Sequence, residues 1–490
     1  MPEPQEIELK FECAPEDIGR ILDAAPDGED DTRELISVYF DTPDLDLQKA
    51  GAALRVRECK GQRVQTFKRG DGMAREEHEA PIPSDAPDPR LGPLPDLLPQ
   101  GARSELKPAF HVRVTRRQRL VQFDGAEIEL AVDQGEVRGG KRTSPISEVE
   151  LELKSGRPTA LFGLARELSH AAPLYLSFAS KAQRGQALIS GRPQQAHKAA
   201  KVELVADATI ADAFQAIGRS MLQSITANAE LLRRQSDAEG VHQLRVATRT
   251  LRSGLSNFKS VVTDERFEAV KEELRWLSKA CDQARNLDVF AEDVVEPAAK
   301  GPAWPTGLAA LKSEIEAARE RAKSDVVQAV ESTRFRDLMI EVTSWVDTGA
   351  WLSRPPSGEL ARDFAHEVLQ KRRRKVVKRG KDLAGLDDAG RHKVRIEAKK
   401  LRYAAEGFQT LYGRKAADRF IKQLKDLQDE LGELNDIVTG ETLFKDLGLS
   451  ADAAFAAGEL VGRRAEHKPD HIAAGAKALE KLADTDPFWG

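Results

Sequence analysis

Between about residues 190 and 205 the apolar residues change their spacing from strict alternation to a helical repeat. One chain must therefore build two unlike folds. Before the change the pattern is Glu6-Ile-Glu8-Leu-Lys10-Phe, Leu54-Arg55-Val56-Arg57-Glu58 and Glu148-Val-Glu150-Leu-Glu152-Leu-Lys154, which predicts antiparallel strands. Phe123-Asp124-Gly125 is a turn candidate, and the Pro-rich stretch from Pro81 to Pro99 reads as loop plus a short helix. After the change the chain is rich in Ala, Leu, Glu, Lys and Arg at helical spacing. A second break, at Trp351 to Gly358 with Pro355-Pro356, divides the helical part. The expected organisation is α+β. Residues 1–190 form an antiparallel β-domain with flanking helices, 191–204 a linker, and 205–490 an all-α domain of two pseudo-repeated bundles, about 205–350 and 359–490.

The strands carry both signs of charge on one face and apolar residues on the other. Glu6, Glu8 and Lys10 share a face, as do Arg55 and Arg57, and Glu148, Glu150, Glu152 and Lys154. Lys68, Arg75, Glu77, Glu79, Glu129 and Asp133 continue the mixture. One solution closes the sheet with its charged face inside. Carboxylates there would suit Mg²⁺ or Mn²⁺, which prefer oxygen ligands, and Arg and Lys would neutralise a phosphate chain. The other solution is a sheet packed on one side, with interleaved charges that keep it soluble.

The helical part repeats a motif. His242, Arg245, Arg249 and Arg252 recur 150 residues on as His392, Arg395, Lys399 and Arg402. Positions i, i+3, i+7 and i+10 share an arc of about 80° and span roughly 15 Å of helix axis. Ala284-Arg-Asn286-Leu-Asp288 and Gly432-Glu-Leu-Asn435-Asp436 follow the two copies in the same order, which indicates an internal duplication. A core stripe would not be built from Arg, and a merely solvated face would intersperse Glu at i+4. Two facing stripes would grip a long polyanion, near which the imidazole pKa rises from about 6.5. Lys400 adjoins the second stripe. From Lys371 to Lys381, with Arg373 and Arg374 inside it, stand eight cations in eleven residues, read as part of the same anion-binding surface.

Composition narrows the partners. Net charge is only −5, so a cationic surface must be local. With 6% aromatic residues there is no platform for stacking bases, which argues against nucleic acid. Three scattered cysteines (Cys13, Cys59, Cys281) suit a reducing compartment. The acidic, strand-patterned start argues against a signal peptide, and no apolar run is long enough for a membrane span. A soluble, cytoplasmic protein is expected.

Six ordered motifs carry a resemblance: Glu6-x-Glu8-x-Lys10, Tyr39-Phe-Asp-Thr-Pro, Leu54-Arg55-Val56-Arg57, Gln65-Thr-Phe-Lys68, Glu148 to Lys154, and Ser180-Lys181-Ala-Gln-Arg184-Gly. Residues 1–190 thereby resemble the CYTH superfamily, the triphosphate tunnel metalloenzymes. Residues 205–490, with two His-x-x-Arg helices, are similar to the CHAD domain, the conserved-histidine α-helical domain. The resemblance implies a β-tunnel that hydrolyses inorganic tripolyphosphate to pyrophosphate and phosphate, joined to a polyphosphate-binding module. It implies that Glu6 and Glu8, with Glu150 and Glu152 opposite, hold one or two ions of Mg²⁺ or Mn²⁺; the run Glu148-Glu150-Glu152 fits in either of two registers. Glu129 and Asp133 join as ligands or as supports for basic residues. Lys10, Arg55, Arg57, Lys68, Lys181 and Arg184 would line the phosphate wall, with Arg75 and one of Arg113, Arg116 or Arg117. Thiamine-triphosphatase-like or adenylate-cyclase-like chemistry stays open, as does a non-enzymatic polyphosphate-binding role.

Overall fold

The computed structural model describes residues 7–59, 61–70, 76–191, 194–300 and 306–490. The chain forms two compact units. The first comprises residues 1–195 and 332–344, the second 196–331 and 345–490. Among the described residues no helix is long and apolar enough to cross a membrane.

In the first unit the alternating segments form one sheet of antiparallel pairs. Its strands are β1 (Glu8–Glu12), β2 (Asp30–Asp41), β3 (Ala52–Cys59), β4 (Gln62–Arg69), β5 (Glu76–Ile82), β6 (Lys107–Phe123), β7 (Ala126–Gly139), β8 (Arg142–Ser155) and β9 (Tyr175–Leu176). The spatial order is β5-β4-β3-β2-β6-β7-β8-β1-β9. Asp124 and Gly125 both take positive φ, 47° and 72°, so the predicted Asp-Gly turn is the tight link between β6 and β7. One face of the sheet is apolar. Leu9, Phe11, Val149 and Leu151 are buried on it. The helix Pro158–Ala171, with Leu161, Leu164 and Leu168 wholly buried, packs against β6, β7 and β8. Burial of each such side chain is worth about 1.5–3 kcal/mol, which holds that face inward to the helix.

The opposite face is charged, as the alternation requires, but not throughout. Leu35, Tyr39, Phe110, Val112 and Val114 form an apolar patch with Ala182, Leu188 and Ile189 of the helix Lys181–Ser190. A Ser180–Gln183 capping box starts that helix. Residues 332–344, which follow the helical pattern, belong to this unit, where Glu341 pairs with Arg166 at 2.8 Å and Arg336 lies over Tyr175.

The second unit is helical. Two helix pairs repeat: Ile210–Arg234 with Ala238–Asn257, and Ala361–Gly380 with Asp388–Phe408. Their starts are joined reciprocally, Ile210 N–H donating to the Glu359 carbonyl and Ala361 N–H to the Ala208 carbonyl. Phe214, Phe258, Trp345, Trp351 and Phe408 fill the core between the pairs.

Candidate functional site

Strand alternation puts Glu8 and Lys10, Arg55 and Arg57, Lys68, Glu77 and Glu79, and Glu150 and Glu152 on one face of a curved sheet. They line a single cavity of about 1020 Å³, joined by Tyr39, Arg116, Glu129, Lys154 and Lys181. Register orders the acidic wall. Glu8 stands opposite Glu152, which stands opposite Glu129; Glu12 stands opposite Glu148, which stands opposite Asp133.

The deeper carboxylates are already filled. Oxygens of Asp133, Glu148 and Glu150 lie within 4.8 Å of one another, a spacing a metal would accept. The Lys181 ammonium occupies that place, 2.7 Å from Asp133 and 2.9 Å from Glu150, and bonded to Glu148. Arg116 grips Asp133 through two 2.7 Å bonds and reaches Glu150, while Lys10 lies 3.3 Å from Glu150. Burial opposes the charge of Glu150, yet Lys181, Lys10 and Arg116 hold its carboxyl well below the usual carboxylate range. Lys181 likewise has its pKa raised despite burial, by Glu148, Glu150 and Asp133.

The facing wall is cationic. Arg57 donates to the Ser37 hydroxyl at 3.2 Å, Lys68 pairs with Glu77 at 2.6 Å, and Arg55 lies 3.7 Å from Glu79. Burial, with Arg55 beside it, lowers the Arg57 pKa to about 10. A buried cation that repels its neighbour is a place where an anion gains more than in water.

Several expectations change in detail. Of the three arginines left open, Arg116 lines the cavity, whereas Arg113 pairs with Glu34 and is largely exposed. Arg117 belongs to the alternate face, because side chains on a strand switch sides at every residue. Arg184 does not line the cavity but bonds Glu12, and Glu148 and Asp133 lie beneath the lining, 0% and 1% exposed. Glu6 and Arg75 lie outside the described residues. Tyr39 lines the cavity, although its motif was given no site role in the sequence. Its ring stacks on Phe110 at 4.6 Å; burial opposes ionisation, but Arg55, Arg57 and Lys181 lower its pKa. Its position directly opposite Arg55 is the signal that would have found it.

In the helical unit the two histidine helices, Ala238–Asn257 and Asp388–Phe408, pack together. Burial and then Arg395, Arg249, Arg245 and Arg402 push the Lys399 amine from 10.5 down to about 6. Burial and Arg245 lower Arg249 to about 10. Among the described residues no carboxylate pairs with Lys399. The Nε atoms of Arg252 and Arg395 and Nδ1 of His242 are shut from solvent without hydrogen-bond partners. The two histidines differ: His392 meets Asn435 at 2.7 Å, whereas burial and Arg285 lower the His242 pKa. Arg245 pairs with Asp282 and Arg402 with Gln428 and Glu406, which orient both side chains.

The remaining cations point elsewhere. Lys400 turns to Glu397, which also meets Arg372. Arg373 donates to the carbonyls of Ala483 and Thr485, capping the C-terminal helix Lys468–Asp484 rather than facing the stripes. Arg374 is exposed. The stripe rule thus separates Lys399 from Lys400, since neighbours on a helix diverge by about 100°.

Residues 4–186 match the family model of the CYTH domain, and residues 216–445 that of the CHAD domain. The inorganic triphosphatase of Haemophilus influenzae is 34% identical over an alignment of 194 residues that covers 38% of this chain. The chain spans 55% of that curated relative's length. The crystal structure of the CHAD domain from the plant Ricinus communis superposes with a TM-score of 0.53 at 28% identity, covering 59% of this chain and 97% of that one.

Proposed function

Because this chain joins a CYTH domain to a CHAD domain, we propose that it hydrolyses inorganic tripolyphosphate to pyrophosphate and phosphate in its β-domain and holds polyphosphate with its helices. The observation that carries the first half is the cavity with carboxylates on one wall and arginines and lysines on the other. A triphosphate repels an incoming water, so hydrolysis needs that charge cancelled and the water aligned with the terminal phosphorus. Arg55, Arg57 and Lys68 bind phosphate oxygens from one side, and Lys10 and Arg116 meet them from the other. Among the described lining residues there is no histidine or cysteine, and direct attack by water is the simplest course.

The donor set fits a hard divalent ion such as Mg²⁺ or Mn²⁺. It consists of carboxylate oxygens, and Glu8, Glu152 and Glu129 stand in one cross-strand row. The Asp133–Glu148–Glu150 cluster fits less well, because Lys181 fills it. Glu8, Glu129 and Glu152 would therefore hold the ion. When bound, it supplies charge neutralisation and a more acidic water. The test is phosphate release from tripolyphosphate, ATP and thiamine triphosphate with Mg²⁺ or Mn²⁺. Release from tripolyphosphate alone is expected. Preference for a nucleotide or thiamine ester would shift the substrate, and no release from any would leave a binding protein.

The second half rests on the crowding of Arg245, Arg249, Arg395 and Arg402 around Lys399, a cluster that gains Coulomb energy from any dense anion. Long-chain polyphosphate should displace RNA from the protein; displacement the other way would favour nucleic acid.

A further inference from the structure

The acidic wall holds two ammonium groups, and they are held unequally. Lys181 arrives from the helix Lys181–Ser190 and is 9% exposed, with Glu148 and Asp133 nearly or wholly buried around it. Taking that ammonium away would strand buried carboxylates. Lys154 sits on β8, two residues from Glu152. Its ammonium is 2.5 Å from Glu152 and 3.4 Å from Glu129, yet its side chain is 34% exposed and lines the cavity. These are two of the three carboxylates assigned to the metal; the third, Glu8, stands across from Glu152.

We infer that Lys154 is an exchangeable counter-ion of the metal row: its ammonium bridges Glu129 and Glu152 in the free protein and gives way when a divalent cation binds them. This rests on the reading of Glu8, Glu129 and Glu152 as the metal row. An ammonium and a divalent cation cannot both sit between the same two carboxylates, so each binds at the other's expense. Lys154 can leave, because a partly exposed lysine regains its hydration as it swings toward water, and ion pairs of this exposure hold only weakly. Lys181 has no such route. The two lysines thus sort the acidic wall into a permanently filled inner cluster and an outer one that trades a single charge for a double one. The presence of Lys154 lowers metal affinity while offsetting one of the row's negative charges when no metal is bound.

The test is Mn²⁺ binding to the full chain without substrate, followed by calorimetry or by the paramagnetic resonance of free Mn²⁺ at constant ionic strength. Lys154→Met and Lys154→Gln should each tighten binding by roughly three- to tenfold. Lys154→Arg, which keeps a cation there, should stay near the parent value. Glu152→Gln should weaken binding strongly. If Glu152→Gln weakens binding but both neutral Lys154 variants bind Mn²⁺ no tighter than the parent, exchange is overturned and the metal row survives. Should Glu152→Gln leave Mn²⁺ binding unchanged, the metal row itself fails and takes the exchange with it. Two neutral substitutions of different shape guard against loss of fold by one of them, and thermal melting of each establishes that it is folded.

Discussion

Replacing Lys399 offers the sharpest test of the helical cleft. In the free protein burial and four arginines, Arg395, Arg249, Arg245 and Arg402, hold its pKa at about 6 instead of 10.5. Other groups near this cluster are Tyr403, which lies beside Arg249 and Arg395, Asp282 beside Arg249, and Asp436 beside Arg395. Near neutral pH the amine is therefore mostly uncharged. A bound polyphosphate reverses the local potential and restores the proton, so binding takes up about one proton per site above about pH 6. Because the bound form carries the extra proton, affinity falls as pH rises, by up to about tenfold per unit, from about pH 6 until the bound-state pKa is reached. Below about pH 6 Lys399 is already charged and its contribution to the slope vanishes. The assay is calorimetric titration with long-chain polyphosphate at constant ionic strength, in buffers of different ionisation enthalpy. Lys399→Arg, charged throughout, should flatten the profile above about pH 6.5 and remove the proton uptake. Burial and Arg285 lower the His242 pKa in the free protein, and a bound anion raises it too, so the same titration on His242→Gln separates the histidine's share of the slope from that of Lys399. A flat profile in the parent protein, or an undiminished slope in Lys399→Arg, would show that Lys399 does not gain a proton on binding.

Other outcomes follow from the β-domain. Glu8→Ala should cut tripolyphosphate turnover at least about 100-fold at saturating Mg²⁺, by removing a proposed ligand; near-normal turnover would remove Glu8 from the metal row. Lys181→Met should destabilise the fold by about 3–5 kcal/mol, read by denaturant titration. That loss should shrink in acid. Glu150 and Asp133 have folded-state pKa values below their ordinary ones, so their contribution is full above the usual carboxylate range and fades as pH falls through the depressed values. In Gly185→Ala the new methyl group would lie 2.1 Å from the Phe110 ring, so the helix Lys181–Ser190 must lift; a loss of about 1–3 kcal/mol is expected. Unchanged stability there would show that Phe110 can move aside.

Much of the candidate site was legible because strand parity is local. Once Glu8, Arg55 and Glu152 are read as strand residues, the face each occupies follows from its index, and alternation alone groups them. Helical spacing did the same for His242, Arg245, Arg249 and Arg252. What parity cannot reveal is how far along a strand the cavity extends, or which neighbour fills it. Glu150 and Glu152 share a face and a motif. Only the arrival of Lys181 from a separate helix, 31 residues on, makes one the base of an ion network and leaves the other nearer the mouth. Arg373 shows the same limit. Its neighbours suggest an anion surface, but the end of a helix more than a hundred residues later supplies carbonyls that claim it.

By itself, then, the sequence determined the two-part α+β architecture, the charged inner face and the paired histidine helices, since hydrophobic period and side-chain direction depend only on residues a few positions apart. Tertiary structure decided the rest. It paired Lys181 with buried carboxylates, left Lys154 at the mouth, and brought Arg245 and Arg249 to Lys399. Such charges feel one another over a few ångströms of space whatever their separation along the chain.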